Sequence, residues 1–530
     1  MDSKFVPVQF RSAGSAILLA FALVLHVYAQ TVSVDPAKMP RIRTVDSQFF
    51  SYNIEMAEVT GGTFWKPYGT QDSSGNGATQ HGPSASTPAG MDPNLYQYRP
   101  PIDLGNPRLR KLTRALGPAY VRVSGTWANS VYFADSNNSS AKPPAGYNAV
   151  LTRKEWKGVI DFVHAVDGEL VTSFATSNGT RNAEGVWTPK EASVWLAYTK
   201  SIGGRVDAAE FMNEPTYAAM GGAPEGYNAA DYGRDMAVFK PWLKENSSGT
   251  VLLGPGSVGE GPFAMERGGV LPSDDLLRAT GPEFNIFSYH LYAAASQRCA
   301  SMGEKFQTSA AVALSPEWLS RPEKIDEFYA GLRDRFEPGK PLWITETADA
   351  ACGGNPWAST FLDTFRYLIE HASLARRDVK VIMHNTLAAS DYGLLDQNTF
   401  EPRPDYWATL LWHKLMGTTV LDPKVSAIAN VYVYAHCLGH KPGGVALLVI
   451  NADRQRNLDL NVTTASERYT LTAKQLEDST VELNAKQLQL TTSGDLPQLN
   501  GEAVNPGRVS FAPTSITFLS IANAGNPNCR

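Results

Sequence analysis

Positive charge is scarce along this sequence and is nowhere concentrated. The formal net charge is −5, the isoelectric point is near 6.0, and no run of lysine and arginine is longer than Arg376-Arg377. Proteins that bind nucleic acids need basic patches to neutralise phosphate groups. We therefore expect no nucleic acid partner.

Metal-binding motifs are missing as well. The chain has nine histidines and four cysteines, and none of them has the spacing that zinc sites use. We therefore expect no metal ion. A glycine-rich phosphate-binding turn is also missing, which argues against a doubly wound nucleotide-binding sheet.

Long apolar runs are missing apart from one near the N-terminus. The stretch Ala16–Val27 is too short to span a bilayer comfortably. Lys4 and Arg11 precede it, and Val27-Tyr28-Ala29 forms a small-residue cleavage signal. These features predict a secretory signal peptide over residues 1–29, with a buried N-terminal helix as the alternative. We expect a secreted protein, extracellular or, in a bacterium, periplasmic, with no membrane insertion.

The length of the chain predicts two domains. At 530 residues it exceeds the size at which a single hydrophobic core stops growing. Eight short segments are apolar over most of their length, as strands buried on both faces of a parallel sheet are. They are Phe49–Glu55, Tyr120–Ser124, Glu169–Thr176, Val206–Met212, Val251–Gly254, Ile286–Tyr292, Leu342–Glu346 and Val379–Asn385.

Each predicted strand is followed by a segment with helical periodicity. After the second, fourth and seventh strands, apolar residues recur at spacings of three and four. They are Trp156, Val159, Ile160 and Val163, then Tyr232, Met236, Phe239 and Leu243, then Phe361, Phe365, Leu368 and Ile369. This alternation predicts an α/β fold, a (β/α)₈ TIM barrel over residues 46–417, whose active site lies at the C-terminal ends of the strands.

Two regions break the alternation. Lys66–Gly105, after the first strand, is rich in glycine, proline, serine and asparagine. A loop of that length is typical of a lid or a disordered insertion, and here it would overhang the catalytic rim. From Thr418 onward the pattern changes to short alternating strands, which predicts a C-terminal antiparallel β-sandwich domain over residues 418–530, with a separate binding module as the alternative. A strand within residues 30–45, at Thr31–Val34, is expected to join the sandwich.

The four cysteines are compatible with two disulfides in an oxidising compartment. Cys437 ends a strand-like segment and Cys529 is the penultimate residue, so a bridge between them would fix the C-terminus to its domain. Cys299 and Cys352 fall in the loops after the sixth and seventh strands, which are neighbours in a barrel. Either pair can instead be free thiols.

Two glutamates stand at the ends of short apolar strands, Glu214 within Asn213-Glu214-Pro215 and Glu346 within Pro341–Thr347. Glycoside hydrolysis needs such a pair, one carboxyl to donate a proton and one to attack the sugar or activate water. A structural ion pair or a solvated strand end is the alternative for each of them. The Asn213 amide beside the carboxylate and Pro215, which turns the chain outward, favour the catalytic interpretation.

Asn213-Glu214-Pro215 resembles the end of the fourth barrel strand in the retaining glycosidases of clan A. From about Phe49 to its C-terminus the chain resembles glycoside hydrolase family 79, the heparanase and β-glucuronidase family. The resemblance rests on Leu116–Thr126, Asn213–Pro215, Trp343–Thr347, Asp391–Asp396, Pro404–Trp407 and Leu415–Leu421. It implies Glu214 as the acid/base and Glu346 as the nucleophile of a retaining mechanism on β-glucuronides, with no cofactor. A Cys437–Cys529 disulfide also matches the heparanase pattern.

The resemblance also implies substrate-binding residues. Glu55 after the first strand and Thr126 after the second would contact sugar hydroxyls. Tyr392 and the N–H groups of Gly353-Gly354 would hold the glucuronate carboxylate, because glycine lets the backbone approach an anion closely. Where heparanases have a tyrosine before these glycines, this chain has Ala351-Cys352, so one carboxylate contact is missing or is supplied elsewhere.

Three further residues are expected at the site. Asn213 would bind the sugar 2-hydroxyl, a contact that strengthens in the transition state. His290 and Tyr292, at the end of the sixth strand, are expected near Glu346, with a packed strand end as the alternative.

These expectations describe an exo-acting β-glucuronidase that releases glucuronic acid from β-glucuronides or glucuronate-capped glycans. An endo-acting heparanase is the first alternative, but it needs a long cleft lined with lysine and arginine, and this acidic chain has few basic clusters. A non-catalytic, heparanase-like polysaccharide-binding protein is the second. Such proteins typically lose one of the two carboxylates, and both are present here.

Overall fold

The computed structural model describes residues 32–68, 87, 88, 90–138, 142–263, 270–303 and 306–530. The predicted signal peptide lies outside these residues. In chain order the strands are β1 (Val32–Val34), β2 (Arg41–Thr44), β3 (Phe50–Glu55), β4 (Gly62–Trp65), β5 (Tyr96–Arg99), β6 (Tyr120–Ser124), β7 (Val131–Ala134), β8 (Ala149–Thr152), β9 (Glu169–Ser173), β10 (Ala208–Glu210), β11 (Val251–Ser257), β12 (Ile286–Tyr292), β13 (Leu342–Ala348), β14 (Val379–His384), β15 (Met416–Leu421), β16 (Val431–Leu438), β17 (Val445–Asn451), β18 (Leu458–Val462), β19 (Ser466–Thr472), β20 (Glu482–Leu483), β21 (Lys486–Gln487), β22 (Glu502–Val504), β23 (Gly507–Phe511) and β24 (Ser515–Ile521). The α-helices are α1 (Met56–Thr60), α2 (Pro107–Arg114), α3 (Arg153–Val166), α4 (Lys190–Ser201), α5 (Ala229–Asn246), α6 (Ser273–Thr280), α7 (Pro316–Leu319), α8 (Arg321–Phe336), α9 (Phe361–Ala375) and α10 (Pro404–Leu415).

Eight parallel strands close into a barrel in the order β3, β6, β9, β10, β11, β12, β13, β14 and back to β3. The predicted (β/α)₈ barrel is therefore confirmed. Two of its strands, Tyr120–Ser124 and Ile286–Tyr292, have the predicted bounds. Because all the strands are parallel, their C-terminal ends meet at one rim. Among the described residues, short 3₁₀ helices follow five strands on that rim, at Thr126–Ser130, Asn178–Thr180, Pro215–Gly221, Gly261–Phe263 and Gln297–Met302.

Helix α3 shows why the periodic segments fold as predicted. It begins with a reciprocal cap, in which Thr152 Oγ1 accepts from the Glu155 N–H and Glu155 Oε2 accepts from the Thr152 N–H at 2.7 Å. The cap satisfies two donors that a helix start otherwise leaves open. The apolar face then packs against the barrel through Trp156, Val159, Ile160 and Val163. Within the described residues, no helix is both long enough and apolar enough to cross a membrane.

The predicted β-sandwich follows the barrel. One sheet contains β1, β18 and β23; the other runs β2, β15, β16, β17, β24, β19, β20, β21, with β22 beside β19. Strand β17 is buried on both faces. Leu447 and Val449 pack between the two sheets, whereas Leu448 and Ile450 belong to the core shared with the barrel. Helix α9 has every residue buried because it lies between barrel and sandwich.

The chain before the barrel completes the sandwich. Strand β1 pairs in parallel with β18, and β2 pairs antiparallel with β15. Sequence analysis did not decide between two disulfides and free thiols, and in the structure both disulfides are formed. Cys437 and Cys529 join β16 to the C-terminal segment with Cα atoms 5.2 Å apart, and Cys299 and Cys352 join two rim loops with Cα atoms 6.5 Å apart.

The interpretation of Lys66–Gly105 as a long irregular loop is wrong in part. Strand β5 lies inside this segment and pairs antiparallel with β4, so the two form a hairpin. The cause is a short alternation in Tyr96–Arg99, where Tyr96 is buried and stacks on Trp65 at 4.4 Å while Tyr98 is exposed. Residues 69–86 and 89 lie outside the described residues.

Candidate active site

A pocket opens at the C-terminal rim of the barrel. Its walls are formed by Glu55, Trp65, Pro88, Met91, Thr126, Trp127, Glu214, Tyr217, Met220, Val258, Tyr292, Glu346, Ala351, Cys352, Asn385 and Tyr392. Six of the ten residues expected at the site are among them. Asn213 and His290 lie buried beneath the pocket, and Gly353 and Gly354 lie behind the wall that Ala351 and Cys352 form.

Glu346 lies in β13 and is held by donors on both of its oxygens. Tyr292 Oη donates to Oε1 at 2.7 Å, and Arg122 Nη1 donates to Oε2 at 3.0 Å. Burial, followed by the charge of Glu346, raises the pKa of Tyr292 well above its ordinary value, so this phenol stays a donor. Charge-assisted hydrogen bonds of this kind stabilise a buried carboxylate.

Glu214 follows β10 at a sharp turn, with a left-handed φ of 48° before Pro215. Its Oε1 lies 3.0 Å from His290 Nδ1, so His290 also contacts the site. Burial raises the pKa of Glu214; the bond with His290 opposes that rise, and the negative charge of Glu346 adds to it. A proton is thus retained on Glu214 to higher pH than on an ordinary glutamate. Left-handed backbone at a non-glycine residue is strained, and such strain is common at functional sites.

Glu214, His290 and Glu346 each place one ligand atom within 4.8 Å of the others. This spacing would suit a metal ion, but the oxygen of Glu346 nearest His290 is already bound by the Arg122 guanidinium. A fixed positive charge in that place competes with a cation. The same geometry brings an oxygen of Glu214 close to an oxygen of Glu346, as a pair of catalytic carboxyls requires.

Arg122 organises the floor of the pocket, and sequence analysis assigned it no role. It is buried in β6, where Nη2 donates to Glu210 Oε2 at 2.9 Å and to Asn213 Oδ1 at 2.8 Å, while Nη1 donates to Glu346. Burial opposes its charge, but Glu210 and Glu346 together raise the pKa of Arg122 above its ordinary value. The sequence does contain a signal that could have identified Arg122, because this arginine stands between two valines in an apolar strand. Such a residue is rarely buried unless it is paired.

Glu55 and Asn385 form the opposite side of the floor. Asn385 Nδ2 lies 3.2 Å from Glu55 Oε1, 3.1 Å from Tyr292 Oη and 3.2 Å from Tyr392 Oη. Burial raises the pKa of Glu55 well above its ordinary value, and the charge of Glu346 adds to the rise. Burial thus favours the protonated form of Glu55, whose O–H could donate to a sugar hydroxyl. Asn385 was missed because a polar residue ending a strand has no distinctive neighbours in the sequence.

The turn after β13 presents backbone donors behind the pocket wall. Cys352, Gly353 and Gly354 have left-handed φ values of 64°, 80° and 82°. A Cβ atom on Gly354 would lie 3.1 Å from the Tyr392 ring. Among the described residues, neither the Gly353 N–H nor the Gly354 N–H has a hydrogen-bond acceptor. Buried N–H groups are almost always paired, so an anionic ligand is a natural partner for them.

No model of a protein family matches the chain. Heparanase-like protein 1 of Arabidopsis thaliana is 26% identical over 484 residues, which cover 81% of this chain and 86% of that protein. Baicalin-β-D-glucuronidase of Scutellaria baicalensis is 26% identical over 463 residues, 79% of this chain and 84% of that protein.

This similarity over most of the chain confirms the expected resemblance to glycoside hydrolase family 79, the heparanase and β-glucuronidase family. The expected class of enzyme, a glycoside hydrolase, is also confirmed. The fold of this glycoside hydrolase also matches a solved structure, a 4-O-α-L-rhamnosyl-β-D-glucuronidase of Fusarium oxysporum, with a TM-score of 0.60 and 13% identity over 92% of this chain and 99% of that one.

The pocket of this glycoside hydrolase also has aromatic walls that sequence analysis did not place. Trp65 and Trp127 line the pocket, and Phe64, the neighbour of Trp65 in the sequence, lies 5.1 Å from Trp127 between ring centroids. Indole rings offer an apolar face with a polar edge, which suits the faces of sugar rings. Trp65 lies directly before the segment interpreted as a loop, so sequence analysis gave it no role.

Proposed function

We propose that this enzyme is a retaining β-glucuronidase that removes single glucuronic acid residues from the ends of β-glucuronides or glucuronate-capped glycans. The observation that carries the proposal is the separation of the two carboxyls, since oxygens of Glu214 and Glu346 lie within 4.8 Å of each other. Retaining enzymes place these groups about 5 Å apart, whereas inverting enzymes leave about 6.5 Å or more for a water molecule.

Glu346 is the proposed nucleophile. Tyr292 and Arg122 stabilise its negative charge and fix its two oxygens, so one of them is directed at the anomeric carbon. Attack breaks the bond to the leaving group and forms a covalent glycosyl-enzyme. Water then displaces Glu346 and restores the original configuration.

Glu214 is the proposed acid and base. In the first step its proton passes to the oxygen of the leaving group, and in the second step the resulting carboxylate takes a proton from the attacking water. The raised pKa of Glu214 suits the first role. Asn213 uses its oxygen to accept from Arg122, which leaves its NH₂ group to bind the sugar 2-hydroxyl. Glu55 and Thr126 are the proposed partners of other hydroxyls.

Glucuronate is the proposed sugar because of the donors around the turn after β13. Tyr392 and the N–H groups of Gly353 and Gly354 can surround a carboxylate, and the relative from Scutellaria baicalensis is itself named as a glucuronidase. A neutral hydroxymethyl group would leave these buried donors poorly paired. Tyr392→Phe should lower kcat/KM for a chromogenic β-glucuronide about tenfold and for the matching β-glucoside less. An equal loss on both would show that Tyr392 does not bind the carboxylate.

Release from chain ends is proposed from the shape and charge of the site. Trp65, Pro88 and Met91, from the hairpin and the segment before β5, form one wall, and none of the described lining residues is lysine or arginine. A pocket without basic residues suits one terminal sugar better than the interior of a sulfated chain. We further propose that the enzyme acts outside the cell membrane after removal of residues 1–29, with residues 46–417 as the catalytic unit and 418–530 as its supporting domain.

Size-exclusion profiles of digested heparan sulfate, measured beside turnover of a chromogenic β-glucuronide, test the proposal. We expect steady release of glucuronic acid from the small substrate and almost no early change in the average length of heparan sulfate. A rapid fall in that length would instead establish the endo-acting alternative. No turnover of any β-glucuronide, at any pH at which the enzyme is folded, would overturn the assignment.

A further inference from the structure

The Cys299–Cys352 disulfide lies in the wall of the pocket. Cys352 lines the cavity directly, and Cys299 belongs to the 3₁₀ helix Gln297–Met302 that follows β12. The two sulfur atoms sit in a small apolar cluster with Phe306, against which Trp65 packs. This bond therefore joins the loops after β12 and β13 at the point where they face substrate.

This disulfide holds a turn whose backbone conformation is unfavourable. Cys352 has a φ of 64°, a region that residues with a side chain seldom adopt, and the next two glycines continue in it. Gly353 lies so close to Trp65 that an added Cβ would be 2.6 Å from the Trp65 Cβ. The position of the free Gly353 and Gly354 N–H groups thus depends on what fixes Cys352.

Arg298, beside Cys299, ties the same loop to two more rim loops. Its guanidinium forms an ion pair with Asp391 and donates to the Lys66 carbonyl, and it lies 4.1 Å above the centre of the Tyr68 ring. The backbone N–H of Arg298 donates to Tyr68 Oη at 2.9 Å. The Arg298 side chain is only 7% exposed, so water cannot easily replace these contacts. Together with the disulfide, Arg298 connects the segments after β4, β12, β13 and β14.

The charge of Arg298 also reaches the pocket. Burial raises the pKa of Tyr392 well above its ordinary value, and the charges of Glu55 and Glu346 add to the rise, whereas Arg298 opposes it. The positive charge of Arg298 therefore acts at Tyr392. A substrate carboxylate beside Tyr392 would be stabilised by that field.

We propose that the Cys299–Cys352 disulfide and the Arg298–Asp391 ion pair are positioning elements that determine specificity: they hold the turn at residues 352–354 against Tyr392, so that its N–H groups select a sugar carrying a carboxylate. This inference rests on the proposed function and names the residues that enforce its choice of substrate. Glu214 and Glu346 lie outside this arrangement because Arg122, Tyr292 and His290 hold them.

The chain offers a matched control, because its second disulfide lies in the sandwich, away from the pocket. We compare the double variant Cys299→Ala/Cys352→Ala with Cys437→Ala/Cys529→Ala, and measure kcat and KM on p-nitrophenyl β-D-glucuronide and p-nitrophenyl β-D-glucoside. In the first variant the ratio of kcat/KM for glucuronide over glucoside should fall at least about tenfold, mainly through KM. In the second, the melting temperature should fall while the ratio stays within about twofold of wild type.

An unchanged ratio in the folded first variant overturns the inference, and so does an equal fall in both double variants. Should the first variant fail to fold, Arg298→Gln keeps the disulfide and removes the charge; it must lower the same ratio, and Arg298→Lys must lower it less. An unchanged ratio in Arg298→Gln then overturns the inference. If wild-type enzyme does not cleave the glucuronide at all, the proposed function fails before this comparison is reached.

Discussion

Arg122 donates to Glu346, Glu210 and Asn213 at once, and these contacts set the charge balance beneath the pocket. One buried guanidinium faces two buried carboxyls. Burial alone would raise the pKa of Glu210, but Arg122 outweighs it and the pKa is lowered. Glu210 is therefore ionised and keeps Arg122 in place when Glu346 becomes esterified during turnover. A buried charge without such a partner would destabilise the fold by several kcal/mol.

Glu346→Gln should lower kcat at least about 10³-fold on every substrate, because the amide has nearly the same shape but is a poor nucleophile. The enzyme should remain folded, as circular dichroism would show. Glu210→Gln is the matched control, since Glu210 also accepts from Arg122 but does not line the pocket. Its activity should fall far less. Wild-type activity in Glu346→Gln would remove Glu346 from the mechanism.

Glu214→Ala should keep activity on substrates whose leaving group needs no proton, such as a dinitrophenyl glucuronide, and lose it on substrates with poor leaving groups. Added azide should then speed turnover, because a small anion can occupy the space of the missing carboxyl and attack the glycosyl-enzyme. The product identified by NMR should be the β-glucuronyl azide. An α-azide would mean that the mechanism inverts configuration.

At the scale of elements, the junction between β6 and the 3₁₀ helix Thr126–Ser130 is the tightest part of the rim. Gly125 has a φ of 94°, and a Cβ there would lie 1.5 Å from Glu55 Oε2. Only glycine lets this loop pass so close to a buried carboxyl. The loop in turn brings Thr126 to the pocket.

Gly125→Ala should therefore lower kcat/KM at least about tenfold, because Glu55 has to move away from the sugar. Gly203→Ala is the control: its φ is 78°, similarly left-handed, but an added Cβ would meet nothing within 4 Å. Both variants should lose about 1 kcal/mol of stability from backbone strain. Only the first should lose activity, and equal activity in the two would contradict the role given to Glu55.

The barrel strands could be predicted because parallel strands buried on both faces are apolar along their whole length. Helix α3 could be predicted for a similar reason, since its buried face repeats every three to four residues. The hairpin of β4 and β5 was missed, because only four residues on each side pair and a single aromatic contact holds them. Arg122 and Asn385 were missed because their importance arises from contacts with residues distant in sequence, which no local pattern encodes.

Across the whole molecule, a second cluster of buried charges lies behind the active site. Arg366 in α9 contacts Asp363 at 2.6 Å and Glu370 at 2.9 Å. Thr347, the neighbour of Glu346, donates to Glu370 at 2.9 Å. Burial raises the pKa of Glu370 to about 7 and that of Asp349 to about 7. One arginine cannot neutralise all the carboxyls around it, so some of them are protonated in the folded enzyme.

The free energy of unfolding should therefore fall by about 1 kcal/mol between pH 6.5 and pH 8. A carboxyl whose pKa is raised by folding stabilises the folded state at low pH, and this contribution is lost as pH rises through the folded-state value. Burial lowers the pKa of His371 and of His384. Below pH 6.5 these histidines make the free energy of unfolding rise with pH, and above pH 6.5 they do not change it. Urea unfolding at several pH values measures the slope.

Glu370→Gln should reduce that slope, because an amide does not titrate, while Glu225→Gln at an exposed position should leave it as in wild type. A wild-type slope of zero over this range, or an undiminished slope in Glu370→Gln, would contradict the role of the cluster.

The pairing of β1 with β18 also determines when the sandwich can be completed. Ser33 and Asn461, adjacent in that ladder and joined by a side-chain hydrogen bond, are 428 positions apart in the chain. A ribosome adds about 5 to 20 residues per second, so roughly 20 to 90 s pass between the synthesis of these two partners. During that interval the valines of β1 and the isoleucine of β2 have no sheet to join. The time for which β1 and β2 are exposed to aggregation is therefore set by partner strands that are made late in synthesis.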